Sequence, residues 1–90
     1  DANVGGETAG VVGVKMQELA ARRQVLCITH LAPVAAAAAA HFVVTKEPRE
    51  SRTVTKIHAL DREERVTELA RMMGGRSPAA RRHAEALLGR

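Results

Sequence analysis

The chain has 90 residues, 46% of them hydrophobic, and Phe42 is its one aromatic side chain. A chain this short makes at most one domain and buries about 60–65% of its unfolded surface, so a core built from Ala, Val, Leu, Ile and Met is thin. The formal net charge of +4 comes from eleven Arg and three Lys against ten acidic residues; the charges interleave, as on a solvated mixed-charge surface rather than a polybasic arm. No apolar stretch reaches the roughly 18 residues of a membrane span, and no signal-peptide pattern opens the chain.

The chain starts at Asp1 rather than Met, which reads as an N-terminus cut from a longer polypeptide. After a Gly-rich opening, Val12, Met16, Leu19 and Ala20 fall at i, i+4, i+7 and i+8, and predict a helix over 7–22 that buries that face. Gly10 and Gly13 weaken it by up to about 1 kcal/mol each relative to Ala, a cost that suits close approach to a neighbouring strand or chain. Arg22 and Arg23 complement the dipole at its C-terminus.

Gln24-Val25-Leu26-Cys27-Ile28-Thr29-His30 is the stretch around which the chain is organised. An unalternated apolar run over 25–28 suits a strand buried on both faces, as in a parallel sheet covered by helices. Cys27 is then a buried, inert thiol, and a single cysteine excludes an internal disulfide. Ligands of open α/β sheets are met just past the carboxyl ends of the strands, where Thr29 and His30 stand. His30 is therefore the first candidate site residue; its alternative role is to cap the next helix.

Residues 31–40, with Pro33 near the start and six alanines at the end, predict a short, tightly packed helix. His41 reads as a helix-end or surface histidine. Residues 42–46 and 53–60 predict an antiparallel hairpin with a five- or six-residue charged loop. It is half buried, with Lys56 and His58 on the face of Val54 and Leu60. Asp61 and Glu64 form a capping-box pattern ahead of the stripe Val66, Leu69, Ala70, Met73, and Gly74-Gly75 ends that helix. Ser77-Pro78 starts a last helix whose buried face is Ala80, Ala84, Leu87 and Leu88, with Gly89 at its end.

The motifs that would complete an active site are absent from the sequence. There is no Gly-x-x-x-x-Gly-Lys-Ser/Thr loop, no metal-spaced Cys/His cluster, and no nucleophile with an evident base. His30, His41, His58 and His83 are far apart in sequence. Residues alone describe a small α/β domain in the order helix, buried strand, helix, β-hairpin and two C-terminal helices.

Asp1 to Gly6 with Glu7-Thr8-Ala9, the Ile28-Thr29-His30-Leu31 turn, and Glu68-Leu69-Ala70-Arg71-Met72-Met73-Gly74-Gly75 together carry a more specific pattern. In these motifs, and in Glu64-Arg65-Val66 and His83-Ala84, the chain resembles the C-terminal end of the RecN family. These are bacterial DNA repair proteins related to the structural-maintenance-of-chromosomes ATPases. The resemblance runs over essentially the whole of residues 1–90, one fragment.

That resemblance implies the C-terminal portion of an ABC-type, P-loop NTPase head in which two heads sandwich ATP. A Walker B strand and catalytic glutamate would immediately precede Asp1. Asp1, Asn3, Val4, Gly5 and Gly6 would form the D-loop against the second head, and His30 would be the switch histidine that reaches the γ-phosphate. ATP and Mg²⁺ belong to the full-length head, and DNA is a partner through the full-length protein. The implied location is cytoplasmic and nucleoid-associated. Two positions depart from the family pattern: Gly5 stands where many such ATPases carry the D-loop aspartate, and Ala32-Pro33 replaces Pro-Gln. The competing reading is a stand-alone basic nucleic-acid-binding module using Arg22, Arg23, Arg81 and Arg82, or a structural interaction module.

Overall fold

The computed structural model describes residues 6–89, and its elements are α1 (Gly6–Ala20), α2 (Ala32–Ala36), β1 (Phe42–Arg49), β2 (Arg52–Ala59), α3 (Arg62–Met72) and α4 (Pro78–Leu88). The chain is α/β, with helices and one two-stranded antiparallel sheet. Its centre lies where α3 and α4 meet α2. Leu69 and Ala84 are 0% exposed, and Val66, Ala70, Ala32 and Ala35 are buried with them. Met72, Met73, Ala80, Leu87 and Leu88 flank this cluster, so both predicted stripes face the core.

Local sequence sets the helix ends. The Asp61 side chain accepts from the Glu64 N–H at 2.8 Å, and Glu64 returns the favour to the Asp61 N–H at 2.9 Å. This reciprocal box satisfies two N-terminal donors of α3 and is typically worth about 1 kcal/mol. At the other end the Gly74 N–H donates to Arg71 and the Gly75 N–H to Ala70, with Gly74 at φ 101°. That is the Schellman closure, and a left-handed residue at its turn favours glycine. Ser77 Oγ accepts from the Ala80 N–H at 3.1 Å and opens α4, with Pro78 in its first turn.

The hairpin is tighter than the sequence reading expects. Its register pairs Phe42 with Ala59 and Arg49 with Arg52, which leaves a two-residue loop, Glu50-Ser51, instead of five or six residues. Pro48 does not stop β1. Arg49 and Arg52 close the loop, and alternation of hydrogen-bonded pairs puts Pro48 where its missing N–H would point away from β2. Glu50 takes the strain, at φ 56°. Val54 and Leu60 are half buried and Lys56 and His58 exposed, and most of the remaining strand residues are exposed, so the ribbon is less covered than the half-buried one expected.

Three expectations are corrected. Residues 24–28 form no strand: they carry no regular secondary structure and no ladder partner among the described residues, with Leu26 91% and Ile28 99% exposed. A buried parallel strand needs neighbours on both sides, and β1 and β2 pair only with each other. Cys27 is accordingly exposed rather than buried.

Secondly, α1 does not bury its predicted stripe. Val12, Leu19 and Ala20 are exposed and Met16 is half buried, whereas Ala9 and Gly13 are covered. The element α1 packs on is α2, and small side chains let the two helices close up. A Cβ on Gly13 would stand 3.0 Å from the Ala37 Cβ and 3.1 Å from the Pro33 carbonyl oxygen; at Gly10 it would meet open space.

Thirdly, α2 stops at Ala36 and Ala38 to Ala40 are exposed. Donors from other elements take the carbonyls with which a longer helix would continue: Gln17 Nε2 reaches Ala37, and Arg65 Nη2 reaches Ala35 and Ala38. The central test of this packing is Leu69→Ala. A fully buried leucine cut to alanine should cost about 3 kcal/mol, read as a large drop in urea midpoint. A loss under about 1 kcal/mol would contradict the core as described.

Candidate functional site

The site residue that sequence reasoning puts first lies at the joint between the irregular segment 24–29 and α2. His30 follows residues 24–29 and precedes the turn that opens α2, and its side chain is exposed. The backbone around it is fixed by short bonds. The Leu31 N–H donates to Thr29 Oγ1 at 3.0 Å, and the Leu31 carbonyl accepts from the N–H groups of Val34 and Ala35 at 3.1 Å each. Thr29 thus forms the local hydroxyl turn, and Leu31 at the cap position of α2 has no side-chain cap.

Of the D-loop residues named above, Asp1, Asn3, Val4 and Gly5 lie outside the described residues, and Gly6 is the first residue of α1. Gly13 meets Pro33, Val34 and Ala37, and Gln17, one turn on, meets Ala37.

A concavity lies elsewhere. The inward face of the hairpin and α3 enclose an open groove of about 420 Å³, lined by Val43, Thr45, His58, Glu63, Glu64 and Glu68 among others. His30 does not line it. Its carboxylates are already engaged: Glu64 with His58 Nε2 at 3.2 Å and in its capping box, Glu68 with Arg71, and Glu63 with Arg81. The backbone N–H of Asp61, then His58, hold the Glu64 carboxyl below the usual carboxylate range, and the Arg71 guanidinium does the same for Glu68. Among the described residues no group of three or more His, Cys, Asp or Glu could hold a metal ion.

The competing basic module loses one of its members. Arg81 donates to Thr67 Oγ1 and pairs with Glu63, so it ties α4 to α3. Sequence reasoning missed Arg65, which lies half buried and bonds two backbone carbonyls of the alanine segment. It read His41 as a helix-end or surface histidine; the ring is half buried and its Nδ1 is covered without a partner.

Burial first, and then the positive charge of Arg65, push His41 below the usual histidine value, partly opposed by Glu68. The unfolded chain therefore takes up a proton near pH 6.5 while the folded chain resists it. Stability from this group is full above about pH 6.5 and falls as the pH drops from there toward the lower folded value. Replacing His41 with Gln should flatten the stability profile across that window. An unchanged slope would show that other groups set it.

No protein-family model matches the chain. Individual relatives do. The DNA repair protein RecN of Deinococcus radiodurans is 45% identical over 89 residues, covering 98% of this chain and 16% of the relative. The RecN proteins of Bacillus subtilis and Streptomyces coelicolor are 39% and 44% identical over 90 residues, with the same coverage of both chains. The chain thus spans about one sixth of the length of the curated relatives it matches. Among the described residues no helix is long and apolar enough to cross a membrane.

Proposed function

The chain belongs to the RecN family of DNA repair proteins, and we propose that it is the C-terminal part of an ABC-type ATPase head. On this reading Asn3 to Gly6 are the D-loop, and Asp1, Asn3, Val4, Gly5 and Gly6 lie against a second head. Two heads close around ATP, and DNA is engaged by the whole protein in the cytoplasm. ATP and Mg²⁺ are bound by the full-length head.

The observation that carries the reading is the segment 24–28. Its residues 25–28 are apolar, Leu26 and Ile28 are almost wholly exposed, and no described strand pairs with it. A strand of a sheet shared with the rest of a longer protein has this character when its neighbours are elsewhere in the polypeptide. His30 then stands at the carboxyl edge of that sheet, where α/β folds meet their ligands. Its imidazole donates a hydrogen bond to the charge that develops on the transferred phosphoryl group. Phosphoryl transfer rests mainly on such positioned, electrostatic stabilisation.

In the full-length protein His30→Ala should slow ATP turnover by about a hundredfold, the usual effect of one lost preorganised donor, with an unchanged melting temperature. His83 is exposed on α4, and His83→Ala is the matched control that should leave turnover intact. A normal rate in His30→Ala beside a lowered melting temperature would refute the assignment.

A further inference from the structure

We infer that Arg65 is a positioning residue for His30, acting with Gln17 through the backbone of α2; this rests on the reading of His30 given above. α2 has five residues, and helices shorter than about 12 residues do not hold their shape alone in water. Just past it the carbonyls of Ala37 and Ala38 have no partner from a continuing helix, and that of Ala35 accepts only from turn N–H groups, Ala38's at 3.2 Å among them. Arg65 Nη2 supplies them from α3, donating to Ala35 O at 3.2 Å and Ala38 O at 2.9 Å. Gln17 Nε2 supplies another from α1, donating to Ala37 O at 2.9 Å. Gly13 completes the seat by leaving room for Pro33 and Ala37.

From that clamp back to the histidine the connection is short and rigid. Ala35 and Val34 are bonded to the Leu31 carbonyl, and Leu31 to Thr29. His30 lies between Thr29 and Leu31, so any tilt of α2 displaces its Cα. Among the described residues Arg65 takes part in no ion pair, and its Nε is buried without a partner. A solubilising arginine would keep that nitrogen in water. Here the guanidinium is committed to main-chain carbonyls instead, and the fold accepts its desolvation.

The test uses the full-length protein and compares Arg65→Ala, Arg65→Lys, Gln17→Ala, His30→Ala and the Arg65→Ala/His30→Ala double variant. Misplacing a reacting group by a fraction of an ångström slows chemistry without changing ground-state binding, so Arg65→Ala should lower kcat about tenfold while KM for ATP stays within about twofold. Arg65→Lys, which still offers a donor at similar reach, should recover most of kcat. Gln17 is exposed, so Gln17→Ala keeps the core and should lower kcat about threefold, a test that holds if Arg65→Ala does not fold. The double variant should be no slower than His30→Ala alone, because positioning has no effect once the ring is gone.

A normal kcat in Arg65→Ala or in Gln17→Ala overturns the inference, as does the same tenfold loss on the His30→Ala background. If His30→Ala itself leaves turnover normal, the phosphate-sensing reading fails, and the positioning role falls with it.

Discussion

An extended peptide segment is stable only when its N–H and C=O groups find partners and its apolar side chains find cover. Residues 24–28 have no strand partner among the described residues, and Leu26 and Ile28 are left uncovered; the rest of the architecture turns on that. The helix before them and the helix after them are packed on each other at Gly13, so they present the segment between them as a loop of strand-like sequence. Fully burying Leu26 and Ile28 against a neighbouring layer would contribute roughly 2 kcal/mol each. On the proposed reading the neighbouring strands of the head supply that layer, and the chain is one part of a sheet whose other strands are encoded elsewhere.

The same logic organises the remaining surfaces. The core is built from Leu69, Val66 and alanines, while larger side chains point outward. Val11, Val14 and Leu19 on α1 and Phe42, Val44 and Ile57 on the outer hairpin face are exposed. Phe42 and Val44 face the same side as their partners Ala59 and Ile57, so the ribbon is apolar on the face turned from α3. Scattered exposed valines are ordinary, but a chain that buries its alanines and exposes its largest apolar residues has its main apolar surfaces turned away from its own core.

What the sequence made legible was local. The Asp61–Glu64 box, the Gly74-Gly75 stop, Ser77-Pro78 and the two C-terminal stripes depend on residues a few positions apart, and each formed as read. What it did not reveal depended on partners distant in the chain. The alanine run has helix propensity through residue 40, but Gln17 and Arg65 claim its carbonyls from 20 to 30 positions away. The α1 stripe was read by its largest residues, whereas the contact was decided by its smallest, Ala9 and Gly13. His30 was legible as the end of an apolar run; that Arg65 holds the element behind it was not, because a half-buried arginine looks like any other in a charged helix.

The most direct measurement of the account is amide hydrogen exchange at Leu26, Cys27 and Ile28 in the full-length protein and in the 90-residue chain. If the segment is a strand of a sheet shared with the rest of the protein, these amides exchange at open-chain rates in the short chain. In the full-length protein they slow by about a thousandfold or more, as paired core strands do. Equally fast exchange in both would contradict the account, since the segment would then have no strand partners anywhere in the molecule.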